Sequence, residues 1–215
     1  MGGYRETREG QRGRMNLLDT RVYRWLEVAT DFFLLNLMWL VACVPVVTIF
    51  PSTAAMFGVV RDWSREKEGG LVRAFATRFR ENFAQSLLVG VLWTLFGAAL
   101  VLDFFVAEAL SFGPSVVMKS LLVLAVVLYA SASVFLFPVM VHYDADWKTL
   151  IKNSLLFSIG RLPTTAACLL FVAVVAGLTA VLPYLILITG SVTAYVVYRL
   201  CDRDFAKLDA TSGGA

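Results

Sequence analysis

Phe32-Phe33-Leu34-Leu35-Asn36-Leu37-Met38-Trp39-Leu40-Val41-Ala42-Cys43-Val44-Pro45-Val46-Val47-Thr48-Ile49-Phe50-Pro51-Ser52-Thr53-Ala54-Ala55-Met56-Phe57-Gly58-Val59-Val60 contains no Asp, Glu, Lys or Arg. About 20 apolar residues suffice for a helix to cross a ~30 Å hydrocarbon core, so this run is too long for one crossing. Pro45 and Pro51 lie near its middle, and proline removes a backbone donor and clashes with the preceding turn. The run reads as a helical hairpin, Asp31–Cys43 going one way and Thr53–Asp62 returning, with its turn over 44–52. The arms are short, so the return arm is compatible with a re-entrant or interfacial helix.

Three more stretches lack charge: 82–102, 120–141 and 162–198. The first two fit one crossing each. The third again holds a central proline, Pro183, and reads as a hairpin of 163–182 and 184–198. The expected fold is therefore an all-α polytopic transmembrane bundle of about six membrane segments in three hairpins. Composition agrees. The 215 residues are 59% apolar and 16% charged, with mean hydropathy +0.73. A soluble domain carries about a quarter charged residues. The net charge of +3 gives no ground for nucleic-acid binding.

The basic residues set the orientation. Of 19, six precede residue 28 (Arg5, Arg8, Arg12, Arg14, Arg21, Arg24) and six lie in 61–80 (Arg61, Arg65, Lys67, Arg73, Arg78, Arg80). Lys148, Lys152 and Arg161 follow the third run, and Arg199, Arg203 and Lys207 the last. Short Lys- and Arg-rich loops stay in the cytoplasm. Both termini are thus expected inside, with 44–52 near the outer face, Asp103 and Glu108 outside, and Lys119 snorkelling outward. Leu40-Val41-Ala42-Cys43 matches a lipoprotein cleavage box, but apolar sequence continues past it to Val60, so no cleavage is expected.

Residues 1–14 and 206–215 are expected to be tails, and 15–205 one helical domain. Three segments, 16–27, 71–83 and 147–159, carry apolar side chains at helical spacing among basic ones. They predict amphipathic interfacial helices on the cytoplasmic side. The alternative is that they are the end turns of the crossings. Pro45 and Arg61, and Pro183 and Arg199, share one spacing, a faint internal repeat.

Asp31, at the mouth of the first crossing, is expected to pair with Arg21, Arg24 or another basic residue. Asn36, deeper, is expected to hydrogen-bond to a neighbouring helix. Together with Asp31 and Asn36, Pro45, Thr48, Pro51, Ser52 and Thr53 form a candidate functional turn or cavity, with Ser52 or Thr53 as N-cap of the returning helix. Arg73, Phe75, Phe79, Arg80, Asn82, Lys152 and Arg161 form a candidate cytoplasmic interface. His142 lies with Asp144 and Asp146 but lacks partners elsewhere, so no metal site is expected. Cys43, Cys168 and Cys201 have neither metal-ligand nor redox spacing and read as packing residues, with Cys201 also a candidate for lipid attachment. No catalytic motif appears. No cofactor and no enzymatic activity are expected.

The chain resembles the YesL-like family, bacterial inner-membrane proteins of unknown function. The resemblance covers 15–205 and rests on Pro45–Ile49 with Pro51–Ala55, on Phe75, Phe79, Arg80, Asn82 and Phe83, and on Lys152–Leu155 leading into Arg161-Leu162-Pro163. A Gly commonly stands in that family where this chain has Phe50. The family's genes often accompany carbohydrate uptake transporters. The resemblance therefore implies an accessory role in the bacterial cytoplasmic membrane, with a sugar ABC transporter or another membrane protein as partner. The competing reading is a small-solute transporter or channel with its site at the broken helix 45–53.

Overall fold

A computed structural model describes residues 3–65, 69–109, 116–143 and 145–212. These form seven α-helices: α1 (Gly3–Ala42), α2 (Ile49–Ser64), α3 (Leu71–Ala109), α4 (Val116–His142), α5 (Trp147–Gly160), α6 (Leu162–Val181) and α7 (Ile186–Ser212). Five helical segments are long and apolar enough to cross a membrane: Tyr23–Ala42, Leu71–Ala107, Val116–His142, Leu162–Val181 and Pro183–Lys207. The run 32–60 does turn back on itself. Its second arm, α2, has 16 residues, a rise of about 24 Å, and is not among the five.

The turn is shorter than the prolines suggest. α1 ends at Ala42, Val46–Thr48 make one 3-10 turn, and α2 starts at Ile49. Pro51 thus lies in the first turn of α2, where a proline needs no hydrogen-bond partner and its fixed φ suits a helix start. Ser52 and Thr53 are consequently not the N-cap, contrary to the sequence expectation. Their hydroxyls donate to the Thr48 and Ile49 carbonyls at 2.6 and 2.7 Å. The Thr48 hydroxyl lies 2.6 Å from both the Ala42 and Pro45 carbonyls, tying the end of α1 to the turn.

The shortest of the hairpin arms forms the centre of the bundle. Ser52, Ala54, Ala55, Val59 and Val60 are at most 1% exposed, and α2 packs against α1, α3, α4 and α7. Small side chains allow this, because without a hydrophobic driving force in lipid, helices associate by close packing. The Phe57 and Phe50 rings stack on Phe137 of α4 at 5.7 and 6.1 Å. At the other end of α2, Asp62 holds Arg78 of α3 through two 2.8 Å hydrogen bonds.

These contacts fix relative heights. Phe50 lies against Gly90, and Asp62 against Arg78, so α2 and α3 are antiparallel. Gly90 stands eight residues, about 12 Å, beyond Asn82, where the charge-free run of α3 begins. The Pro45 turn is therefore level with the middle of that run, not with its far end as the charge pattern led us to expect. The α6–α7 turn is similarly placed. Asn36 of α1 donates to the carbonyl of Ile186, the first residue of α7, at 2.6 Å. The Tyr198 hydroxyl lies 3.4 Å from His142 Nδ1 at the end of α4. Ile186 is thus about 18 Å above that level. The far part of the α3–α4 hairpin stands beyond both turns, with Leu95, Leu102, Phe105, Val117 and Leu121 more than 60% exposed.

Of the three expected interfacial helices only one is separate. Segments 16–27 and 71–83 continue unbroken into α1 and α3, since no proline or glycine interrupts them. Residues 147–159 form α5, which packs along α4 through buried Leu150, Ser154 and Ser158. The expected tails also lie partly within helices, α1 from Gly3 and α7 to Ser212; Met1, Gly2 and 213–215 are outside the described residues. The two prolines of the faint repeat fall one position apart relative to the 3-10 turns that join their helices: Pro45 precedes the first turn and Pro183 begins the second.

Candidate functional site

Asn36, Thr48, Ser52 and Thr53 are all engaged in building the fold. Asn36 is fully buried. Its amide donates to the Ile186 carbonyl, and its oxygen accepts the Ser191 N–H at 3.1 Å, so it joins α1 to α7 as expected of a membrane asparagine. Thr53 accepts from the Trp39 indole at 3.1 Å. Pro45 is exposed and Pro51 buried. Asp31 is partly buried, and among the described residues neither Arg21 nor Arg24 pairs with it; the charge that acts on it is that of Glu27. The pairing expected from the sequence is not made.

The candidate interface residues separate into two sets. Arg73, Arg80 and Lys152 are exposed. Phe75 is only 6% exposed and stacks on Phe79 at 6.3 Å, which meets Phe83 at 5.4 Å. The apolar side of 71–83 therefore begins in the protein core instead of a lipid interface. Arg161 reaches Asp204 at 3.6 Å, and Lys207 reaches the same oxygen at 3.8 Å, closing the start of α6 onto α7.

A polar cavity of about 410 Å³ lies between the charged ends of α2, α3 and α4. Arg61, Arg78, Asn82, Gln85, His142 and Tyr143 are among its lining residues. Only Asn82 was singled out from the sequence as a site residue. Arg78 is fully committed: its Nε and Nη2 go to Asp62, and its Nη1 goes to Glu81 at 2.7 Å. Its stem crosses Gly58, where a Cβ would sit 3.0 Å from the Arg78 Cγ, so the glycine lets the guanidinium reach Asp62. Arg61 is different. Its Nε is buried and meets no acceptor among the described residues. His142 is held by Tyr198 and by Asp202 at 3.9 Å, with the Phe205 ring 4.5 Å away. Asp144, grouped with it from the sequence, lies outside the described residues. Among those described, no three metal-ligating side chains converge.

The cysteines are less scattered than their spacing implies. Cys168 of α6 and Cys201 of α7 are both fully buried and lie close enough for their thiols to influence each other. Burial at that position leaves no room for a lipid on Cys201.

The apolar helices and the buried polar contacts between them define a multi-pass helical membrane protein. Within that class, residues 32–104 match the family described as "Protein of unknown function, DUF624", and the chain is a distant homologue of three proteins of that kind. All three are uncharacterized proteins of Bacillus subtilis (strain 168). YteU is 26% identical over 198 residues, 90% of this chain and 89% of that protein. YesV is 28% identical over 153 residues, 69% and 73% of the two chains. YesL is 22% identical over 183 residues, 81% and 85%. The resemblance drawn from the motifs is thereby confirmed. No solved structure gives a significant match.

Proposed function

We propose that the protein is an accessory component of the bacterial cytoplasmic membrane, working by contact with a partner at its inner end and not by catalysis. Both termini face the cytoplasm in this reading, and three hairpins enter the bilayer, the first of them re-entrant. The observation that supports it is the segregation of charge. Arg61, Asp62, Arg78, Glu81, His142, Arg161, Asp202 and Asp204 all gather where α2 and α4 end, in the ion pairs and polar cavity described above. The opposite ends of α3 and α4 expose mostly apolar side chains, with Asp103 and Lys119 as exposed charges among them. A structure of this kind presents chemistry to one compartment and hydrocarbon to the other side. The re-entrant depth of the first hairpin has separate support. Its charge-free arms rise less than a ~30 Å core requires, and its turn lies level with Gly90. Irregular backbone at such depth is tolerated where protein satisfies it, as Thr48 does here.

The partner we favour is a sugar transporter or another membrane protein, following the genomic company of the resembling family. A photo-crosslinking residue at Arg73, which is exposed beside the charged end, tests this in native membranes. One discrete adduct with a transporter subunit is the expected product. Adducts with lipid alone, or with a second copy alone, would remove the accessory reading. Transport through the 45–53 break draws no support from the geometry, because Asn36, Ser52 and Thr53 already hold backbone groups or Trp39.

A further inference from the structure

We infer that the cavity between the inner ends of α2, α3 and α4 binds a phosphorylated polyol, with Arg61 as the group that takes the phosphate. Two guanidinium groups, Arg65 and Arg78, lie near enough for their charges to act on a third, Arg61. Among the described residues the carboxylates Asp62 and Glu81 lie beside them; both hydrogen-bond to Arg78, and the charge of Asp62 also acts on Arg61. Arg61 is left with a buried Nε that no described residue satisfies. Leaving a charged donor buried and unpaired is costly, so the site favours an incoming anion. A guanidinium fork matches the geometry of phosphate oxygens.

The rest of the lining suits hydroxyl groups. The Asn82 amide nitrogen donates to the Arg78 carbonyl at 2.9 Å, and the Gln85 amide nitrogen to the Ala145 carbonyl at 2.6 Å. Each amide keeps a second N–H and an oxygen, so it can donate to or accept from a hydroxyl. Two amides beside a cationic group suit a ligand that carries hydroxyls as well as a phosphate. A volume of about 410 Å³ exceeds what a bare inorganic anion needs and falls among cavities that hold small organic ligands. Two sources offer this chemistry: the glycerophosphate headgroup of phosphatidylglycerol in the inner leaflet, and a soluble polyol phosphate from the cytoplasm. The inference rests on the proposed orientation only for which leaflet supplies a lipid.

The experiment uses the full chain in nanodiscs and two probes. Glycerol 3-phosphate is titrated calorimetrically into phosphatidylcholine discs, and phosphatidylglycerol is compared with phosphatidylcholine by thermal unfolding. Binding of glycerol 3-phosphate that Arg61→Gln weakens by about tenfold or more identifies the soluble source. A rise in unfolding temperature with phosphatidylglycerol, absent in Arg61→Gln, identifies the lipid. Glu81→Gln removes a carboxylate from the rim and is expected to tighten whichever probe binds by several-fold. That variant decides the matter if Arg61→Gln does not fold. No response to either probe, a response unchanged by Arg61→Gln, or unchanged or weaker binding in Glu81→Gln would overturn the inference. Titration repeated in detergent keeps the result independent of membrane orientation.

Discussion

At the scale of single residues, the least replaceable position is a glycine. A Cβ on Gly90 would collide with the Phe50 ring. Gly90→Val is therefore expected to destabilise the protein by about 1–3 kcal/mol, the usual cost of overpacking. Phe50→Gly, which restores the residue common at that place in the resembling family, should recover most of the loss; thermal unfolding in detergent reads both. Asn36→Leu removes two hydrogen bonds between α1 and α7 and should cost about 1 kcal/mol in the same assay. Asn36 was legible in the sequence because a lone amide in an apolar run has few roles open to it. Arg61 was not. It counted there as one of six cations fixing a loop to one side and as a member of the faint repeat, and the lack of a described acceptor at its Nε depends on Asp62 and Glu81 both hydrogen-bonding to Arg78. That choice is made by tertiary contacts across α2 and α3. The hint that was present is the placing of acids inside basic segments, Asp62 beside Arg61 and Glu81 beside Arg80.

At the scale of elements, charge-free length and proline located six of the seven helices, and amphipathic spacing located α5. What they missed was how helices join. The sequence places Pro51 in a break, yet proline is as compatible with a helix's first turn as with its end, and only the hydrogen bonds of Thr48 tell which applies. Segments 16–27 and 71–83 are amphipathic, as read, but an amphipathic stretch can continue into an apolar one without a bend. The Asp62–Arg78 pair fastens α2 to α3, with 12% and 21% of the two side chains exposed. Asp62→Asn alone should cost about 2–3 kcal/mol, because it leaves a largely buried guanidinium with one partner fewer. Adding Arg78→Gln should return part of that loss, and a double-mutant cycle measures the coupling.

At the scale of the whole molecule, the bundle is built around its shortest membrane arm. α2 is flanked by four helices and owes its place to small residues, Ala54, Ala55 and Gly58, which its sequence displays but does not rank above other apolar runs. Charge counting required the chain to turn back between the two basic clusters, and it does. Counting could not give the depth of the turn, since loop charge reports which side a segment faces and not how far the hairpin travels. The height of the turns against their neighbouring helices emerges from the Phe50–Gly90 and Asn36–Ile186 contacts, which no periodicity records.

Cysteine accessibility in intact cells measures that depth directly. With the three native cysteines replaced by alanine, Val47→Cys is placed in the first turn, Val117→Cys at the far end of α4, and Arg73→Cys at the charged end. A membrane-impermeant maleimide added outside should label Val117→Cys, and should label neither Val47→Cys nor Arg73→Cys until the membrane is opened. Labelling of Val47→Cys from outside as fast as Val117→Cys would contradict the re-entrant first hairpin, and labelling of Arg73→Cys from outside would contradict the orientation on which the account depends.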